Sequence, residues 1–111
     1  MLKVSRENFE TILKKGKNIY SPLLSFKYVV LSKEEMLPSC FSFVVSGKIA
    51  KKAIERNLFK RRGRHIVRKL KDKINPGFMG AFFAKEGANK VSFADLEKEI
   101  ISLLNVAKVL L

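Results

Sequence analysis

Residues 53–71 read AIERNLFKRRGRHIVRKLK. At about 100° per residue, Phe59, Ile66, Leu70 and Ile74 fall on one narrow apolar stripe, with Val67 beside it. That stripe predicts a helix laid against an apolar sheet. A second stripe takes Asn57, Lys60, Arg61, Arg64, Arg68 and Lys71, within about a third of the circumference. No acid stands among them. Between Lys48 and Lys73 there are twelve basic residues, and the only acids are Glu55 and Asp72. Like charges at helical spacing repel by roughly 0.3 kcal/mol a pair, so a merely solvated face mixes its signs. A face that does not is expected to meet a polyanion.

The rest of the chain leans the same way. Its 111 residues suit one domain, and 47% apolar content suits a folded one rather than a disordered one. Twenty-three Lys and Arg against ten Asp and Glu leave a net charge of +13, which strains a compact fold unless it has a use. Nucleic acid is the first candidate and an anionic membrane surface the second. The membrane reading is the weaker, because no apolar run approaches the roughly 20 residues of a spanning helix. The start, MLKVSRENFETILKK, is too charged for a signal peptide. Cys40 is the only cysteine, which excludes an internal disulfide and fits a reducing cytoplasm; it reads as a small half-buried residue. His65 is the only histidine, so no zinc or other metal site is expected.

Outside the basic stretch, Ser5 can cap a short helix carrying Phe9, Ile12 and Leu13, which Gly16 closes at its C-terminus. LLSFKYVVLS has strand character, with Leu24, Phe26, Tyr28 and Val30 alternating onto one face. SKEEMLPS is a polar loop. CFSFVVS is a second strand with Phe41, Phe43 and Val45 on one side, and a minor strand is signalled weakly around Asn18 to Tyr20. The basic helix should run from about Lys48 to Ile74, where Asn75-Pro76-Gly77 stops it. GFMGAFFAK is a further strand and Lys85 to Lys90 a turn. Ser92 and Asp95 form a capping box for a last helix, with Phe93, Leu96, Ile100, Leu103 and Ala107 on its core side. The expected architecture is α+β, in the order αββ(β)αβα.

Arginine outnumbers lysine on the basic stripe, and guanidinium forks suit phosphate and stacked bases. The Phe-rich strands could offer flat faces to unpaired bases, although most of those rings should be core. No dimerisation heptad or helix-turn-helix pairing points to a DNA major groove instead.

These residues bring a family into view. VSGKIAKKAIERNLFKRRGR resembles the signature of the protein subunit of bacterial ribonuclease P, through Lys48, Lys51, Lys52, Ala53, Arg56, Asn57, Lys60, Arg61 and Arg64. Arg6, Phe9 and KKGK around Gly16 match its N-terminal pattern, and SFADLEKEI its tail, so the likeness covers nearly the whole chain. Leu58 stands where a basic residue is usual and His65 where an acid is common. Gly63 stands in mid-helix, at a cost of about 1 kcal/mol against alanine.

The resemblance implies a single RNA-binding domain over residues 1–111, with a mixed sheet and the long basic helix in a left-handed crossover. It implies two RNA partners, the catalytic RNA of ribonuclease P and precursor tRNA, whose 5′ leader the holoenzyme removes. On this reading Lys48, Lys51, Lys52, Arg56, Asn57, Lys60, Arg61, Arg64 and Arg68 face the RNA. A cleft between the first helix and the sheet takes the leader, with Phe9 and Tyr28 as its candidates. No catalytic residue is assigned to the protein, because the ten acids show no two-metal spacing and there is no paired histidine. Mg2+ is expected on the RNA and substrate. No membrane and no obligate protein partner is expected. Two alternatives share the charge pattern: a general RNA-binding or ribosome-associated protein, and a nuclease acting without RNA. Binding of precursor against mature tRNA by the RNA–protein complex separates the first, and cleavage by the RNA-free chain the second.

Overall fold

The computed structural model describes residues 4–31 and 38–110. Its order is α1 (Arg6–Lys15), β1 (Lys17–Tyr20), β2 (Leu24–Val30), β3 (Cys40–Val44), α2 (Ala53–Lys69), a 3-10 turn at Lys71–Lys73, β4 (Phe78–Ala84) and α3 (Phe93–Val106). The weakly signalled strand near Asn18 is therefore real. The polar loop read over residues 32–39 lies outside the described residues except for Pro38 and Ser39.

The four strands form one mixed sheet in the order β1-β2-β4-β3. β1 and β2 are antiparallel, as are β2 and β4, whereas β3 runs parallel to β4. A parallel pair needs a crossover, and α2 lies in it. β4 sits between two neighbours with helices on both faces, so FMGAFFA is nearly all apolar rather than alternating.

One face of the sheet carries the main core. Leu24 and Phe26 of β2, Phe41 and Phe43 of β3, and Phe82 of β4 pack there against Phe59, Ile66 and Val67 of α2 and Leu96, Ile100, Leu103 and Leu104 of α3. The rings of Phe26, Phe82 and Phe43 lie in cross-strand register and stack at centroid distances of 4.3 and 5.0 Å. Such a pair adds about 1 kcal/mol to the burial of its area. The other face is covered by α1, with Ile12, Cys40, Met79 and Ala81 buried beneath it and Phe9, Val29 and Phe83 partly so. Phe9 and Ile12 turn inward as read, but Leu13 is 43% exposed.

Both serine caps form as the sequence predicts. Ser5 Oγ accepts from the Asn8 amide and Ser92 Oγ from the Asp95 amide, each at 3.1 Å. Gly16 closes α1 for a different reason from the one expected. Its backbone is extended, with φ −68°, not left-handed. What it needs is the absence of a side chain, since a Cβ there would collide with the Ile12 carbonyl and the Lys27 side chain.

The basic helix is shorter than its periodicity suggested, at both ends. Residues 47–49 form a turn, with the Ile49 and Ala50 amides donating to the Ser46 carbonyl at 3.1 Å. Lys52 offers no side-chain cap, so helix geometry starts only at Ala53. After Lys69 the chain tightens into the 3-10 turn, with the Lys73 amide donating to the Leu70 carbonyl at 2.8 Å. Ile74 leaves the stripe altogether and forms a β-bridge with Leu110. Glu55 in the first turn of α2 and Arg68 and Lys69 in its last complement the helix dipole.

Candidate nucleic-acid interface

Three flanks of α2 are distinguished by what they touch. The core flank is Phe59, Gly63, Ile66 and Val67, all buried. Gly63 is where the helix backbone meets the Phe43 ring, and a Cβ would fall within 2.8 Å of its Cγ and closer to the ring edge. The mid-helix glycine, a cost by propensity, is therefore the space that lets the helix lie this close to β3.

A second flank faces α3. Arg62 Nη1 donates to the Val91 carbonyl at 3.3 Å. His65 meets the Phe93 ring edge-on at 5.6 Å. Lys69 Nζ lies 2.6 Å from Glu97 Oε2 and 5.9 Å from the centre of the Phe93 ring. His65, at a place where an acid is common in the resembling family, is thus occupied as an aromatic contact.

The third flank is the predicted stripe. Asn57, Arg61, Arg64 and Arg68 are exposed and Lys60 half-buried. Among the described residues none of the four cations pairs with a carboxylate, and none donates a hydrogen bond to the protein; the one ion pair is Lys69–Glu97. Lys71 extends the stripe from the 3-10 turn, exposed. Lys48, Lys51 and Lys52 are also exposed, but on the turn that precedes the helix rather than on the helix itself.

Arg56 has a different situation from its neighbours. Its Nη1 donates to both the Ala50 and Lys51 carbonyls at 2.8 Å. The guanidinium thereby ties the lysine-bearing segment before the helix to the first turn of α2. Part of its hydrogen-bonding capacity is spent inside the protein, a role the spacing alone did not announce.

On the opposite side of the sheet, Phe9 of α1 faces Phe83 at 6.3 Å between ring centres. Phe83 is paired with Ser25 on one side and Val44 on the other, and Ser25 with Tyr20. Directly paired residues share a face, so Tyr20, Ser25, Phe83 and Val44 form a row alongside α1, which lies over the neighbouring positions Val29, Met79 and Cys40. The angle between α1 and this row, with Phe9, Phe83 and Tyr20 along it, is the candidate leader groove. Lys27 reaches along it to the α1 terminus, its Nζ donating to the Leu13 carbonyl at 2.6 Å.

Tyr28 does not belong to that groove. It stacks on Phe26 at 5.3 Å and packs with the main core. The structure therefore puts Phe9 and Tyr28 on opposite faces of the sheet. Sequence reasoning missed Phe83 and Val44, although the alternation in GFMGAFFAK and CFSFVVS carried the signal. Cys40 is buried under α1, and burial pushes its thiol above the ordinary cysteine value, away from reactivity.

A family model described as Ribonuclease P matches residues 3–108. The chain belongs to the ribonuclease P protein family. The ribonuclease P protein component of Picosynechococcus sp. is 31% identical over 102 residues, covering 92% of this chain and 85% of its own. The ribonuclease P protein from Thermotoga maritima superposes with a TM-score of 0.80 at 27% identity, covering 91% of this chain and 92% of its own. That from Staphylococcus aureus gives 0.84 at 21% identity, over 98% and 97%, a likeness of fold alone. Membership makes the chain a protein component of the ribonuclease P endoribonuclease, with a role in tRNA 5′ processing. Its partner is the ribonuclease P RNA. No helix among the described residues is long and apolar enough to cross a membrane.

Proposed function

We propose that the outer flank of α2 binds the catalytic RNA, and that the groove beside α1 takes the single-stranded 5′ leader of precursor tRNA. The observation that carries the first half is the row Lys60, Arg61, Arg64 and Arg68, beside Asn57, with no carboxylate partner among the described residues. Exposed Lys48, Lys51 and Lys52 widen that surface along the turn that Arg56 holds. Phosphates neutralise such a row and release counterions as they do. The second half rests on Phe9 and Phe83, aromatic and only partly buried, where unpaired bases can stack.

The protein contributes binding and positioning, and the RNA performs the hydrolysis. Among the described residues no three His, Cys, Asp or Glu side chains converge on a possible metal position. Mg2+ in this reading is held by the RNA and the substrate. The place of action is the cytoplasm.

The test adds the chain to a bacterial ribonuclease P RNA at low magnesium and compares precursor with mature tRNA. Restored 5′ cleavage and tighter binding of the precursor are expected. Equal binding of the two would point to a general RNA-binding protein and overturn the leader half; cleavage by the protein without RNA would overturn the division of labour.

A further inference from the structure

Tyr20 is 66% exposed at the end of the edge strand β1. It is not loose. Lys85 Nζ lies 5.6 Å from the centre of the ring and donates to the Ser21 carbonyl at 3.0 Å. Ser21 is itself fixed, its Oγ donating to Glu99 Oε1 of α3 at 2.7 Å, while the same carboxylate oxygen accepts from the Leu23 amide at 2.9 Å. The ring and the ammonium are therefore presented together by a braced turn. They share the α1 face of the sheet with Phe83, one row across the small residue Ser25.

From this we infer that Tyr20 and Lys85 form a nucleotide seat that continues the groove: the ring stacks an unpaired base and the ammonium takes the adjoining phosphate. The inference rests on the leader reading of the groove and names a position that reading did not contain. Three features favour this occupant. The ring lies against the cation and is two-thirds exposed, which leaves surface on which a base can stack. An ammonium has three donors, and one hydrogen bond to Ser21 leaves two for phosphate oxygens. The seat also lies in line with Phe9 and Phe83, so a strand lying along the groove passes over Ser25 and arrives at Tyr20. Spacing between neighbouring strands of about 4.8 Å puts the two aromatic positions about 10 Å apart, within reach of one short RNA segment.

The test uses the protein assembled with a bacterial ribonuclease P RNA. For Tyr20→Ala, affinity for a precursor with a long single-stranded leader should fall about tenfold, the weight of one base–aromatic stack. Affinity for a precursor trimmed of all but its last leader nucleotide should not change, and Tyr20→Phe should keep wild-type affinity for both. The chain contains no tryptophan, so Tyr20→Trp supplies a unique reporter whose emission should be quenched by the long-leader precursor only. Equal losses on long-leader and trimmed substrates would overturn the seat, as would unchanged affinity in Tyr20→Ala. Phe9→Ala separates the two readings. If it removes the leader preference while Tyr20→Ala does not, the groove stands and the seat falls. If neither variant alters the preference, the groove reading fails as well.

Discussion

The two charged flanks of α2 are built from the same kinds of residue and meet opposite fates. On the α3 side, Arg62, His65 and Lys69 each have a protein partner: a carbonyl, a ring and a carboxylate. On the outer side, Lys60, Arg61, Arg64 and Arg68 have no such partner among the described residues. Charge that serves the fold is answered within the fold. Charge that is not answered there raises the free energy of the folded chain until something outside neutralises it. The ribonuclease P RNA is the partner proposed above for this role.

The largest expected effect breaks the outer flank. Replacing Arg61, Arg64 and Arg68 together by alanine should weaken ribonuclease P RNA binding on the order of a hundredfold at moderate salt. It should also flatten the log–log salt dependence by roughly three contacts' worth. Filter binding across a salt series measures both, and an unchanged slope would remove the outer flank from the interface. Thermal stability should hold or rise slightly, because like-charge repulsion is relieved.

A second prediction concerns the core flank between them. Gly63→Ala gains about 1 kcal/mol of helix propensity yet should destabilise the protein by roughly 1–3 kcal/mol, because the new methyl enters the Phe43 ring. Chemical denaturation reads the sign. A net gain would show that Phe43 can yield and that the helix is not held at this distance by the glycine.

The smallest effect sharpens the contrast. Arg62→Ala with Lys69→Ala removes two positive charges, nearly as many as the outer triple. RNA affinity should nevertheless change by less than about threefold, and stability should fall by no more than about 1 kcal/mol, as expected for partly exposed partners. A large loss of RNA binding here would mean that total charge, rather than its placement, governs the interaction.

Much of this was readable from the residues, and what was not has physical causes. Ser5 and Ser92 announced their helices because a cap is a local event, decided within three residues. The outer stripe was readable because helical spacing translates directly into a face. The ends of α2 were not, since they depend on contacts far along the chain: Ile74 is drawn off by Leu110, and the first turn is held by Arg56 reaching back to Ala50 and Lys51. Tyr28 shows a subtler limit. Alternation correctly grouped it with Leu24 and Phe26, but a sheet covered on both faces has no polar side to say which helix lies over which set. The Phe9–Phe83 contact and the cross-strand register together reveal that Phe9 shares its face with Phe83 and Tyr20 instead.

The strand order has a consequence for how the molecule is made. β2 and β3 lie on either side of β4, which comes from the far side of α2 in the chain. Until Phe78 to Ala84 have left the ribosome, only the β1–β2 hairpin can pair, and a lone hairpin is marginal in water. The cationic helix is therefore synthesised before the surface that will hold it exists. A chain stopped short of Phe78 should show little amide protection beyond that hairpin. The central strand, late to arrive, closes the sheet on both sides at once.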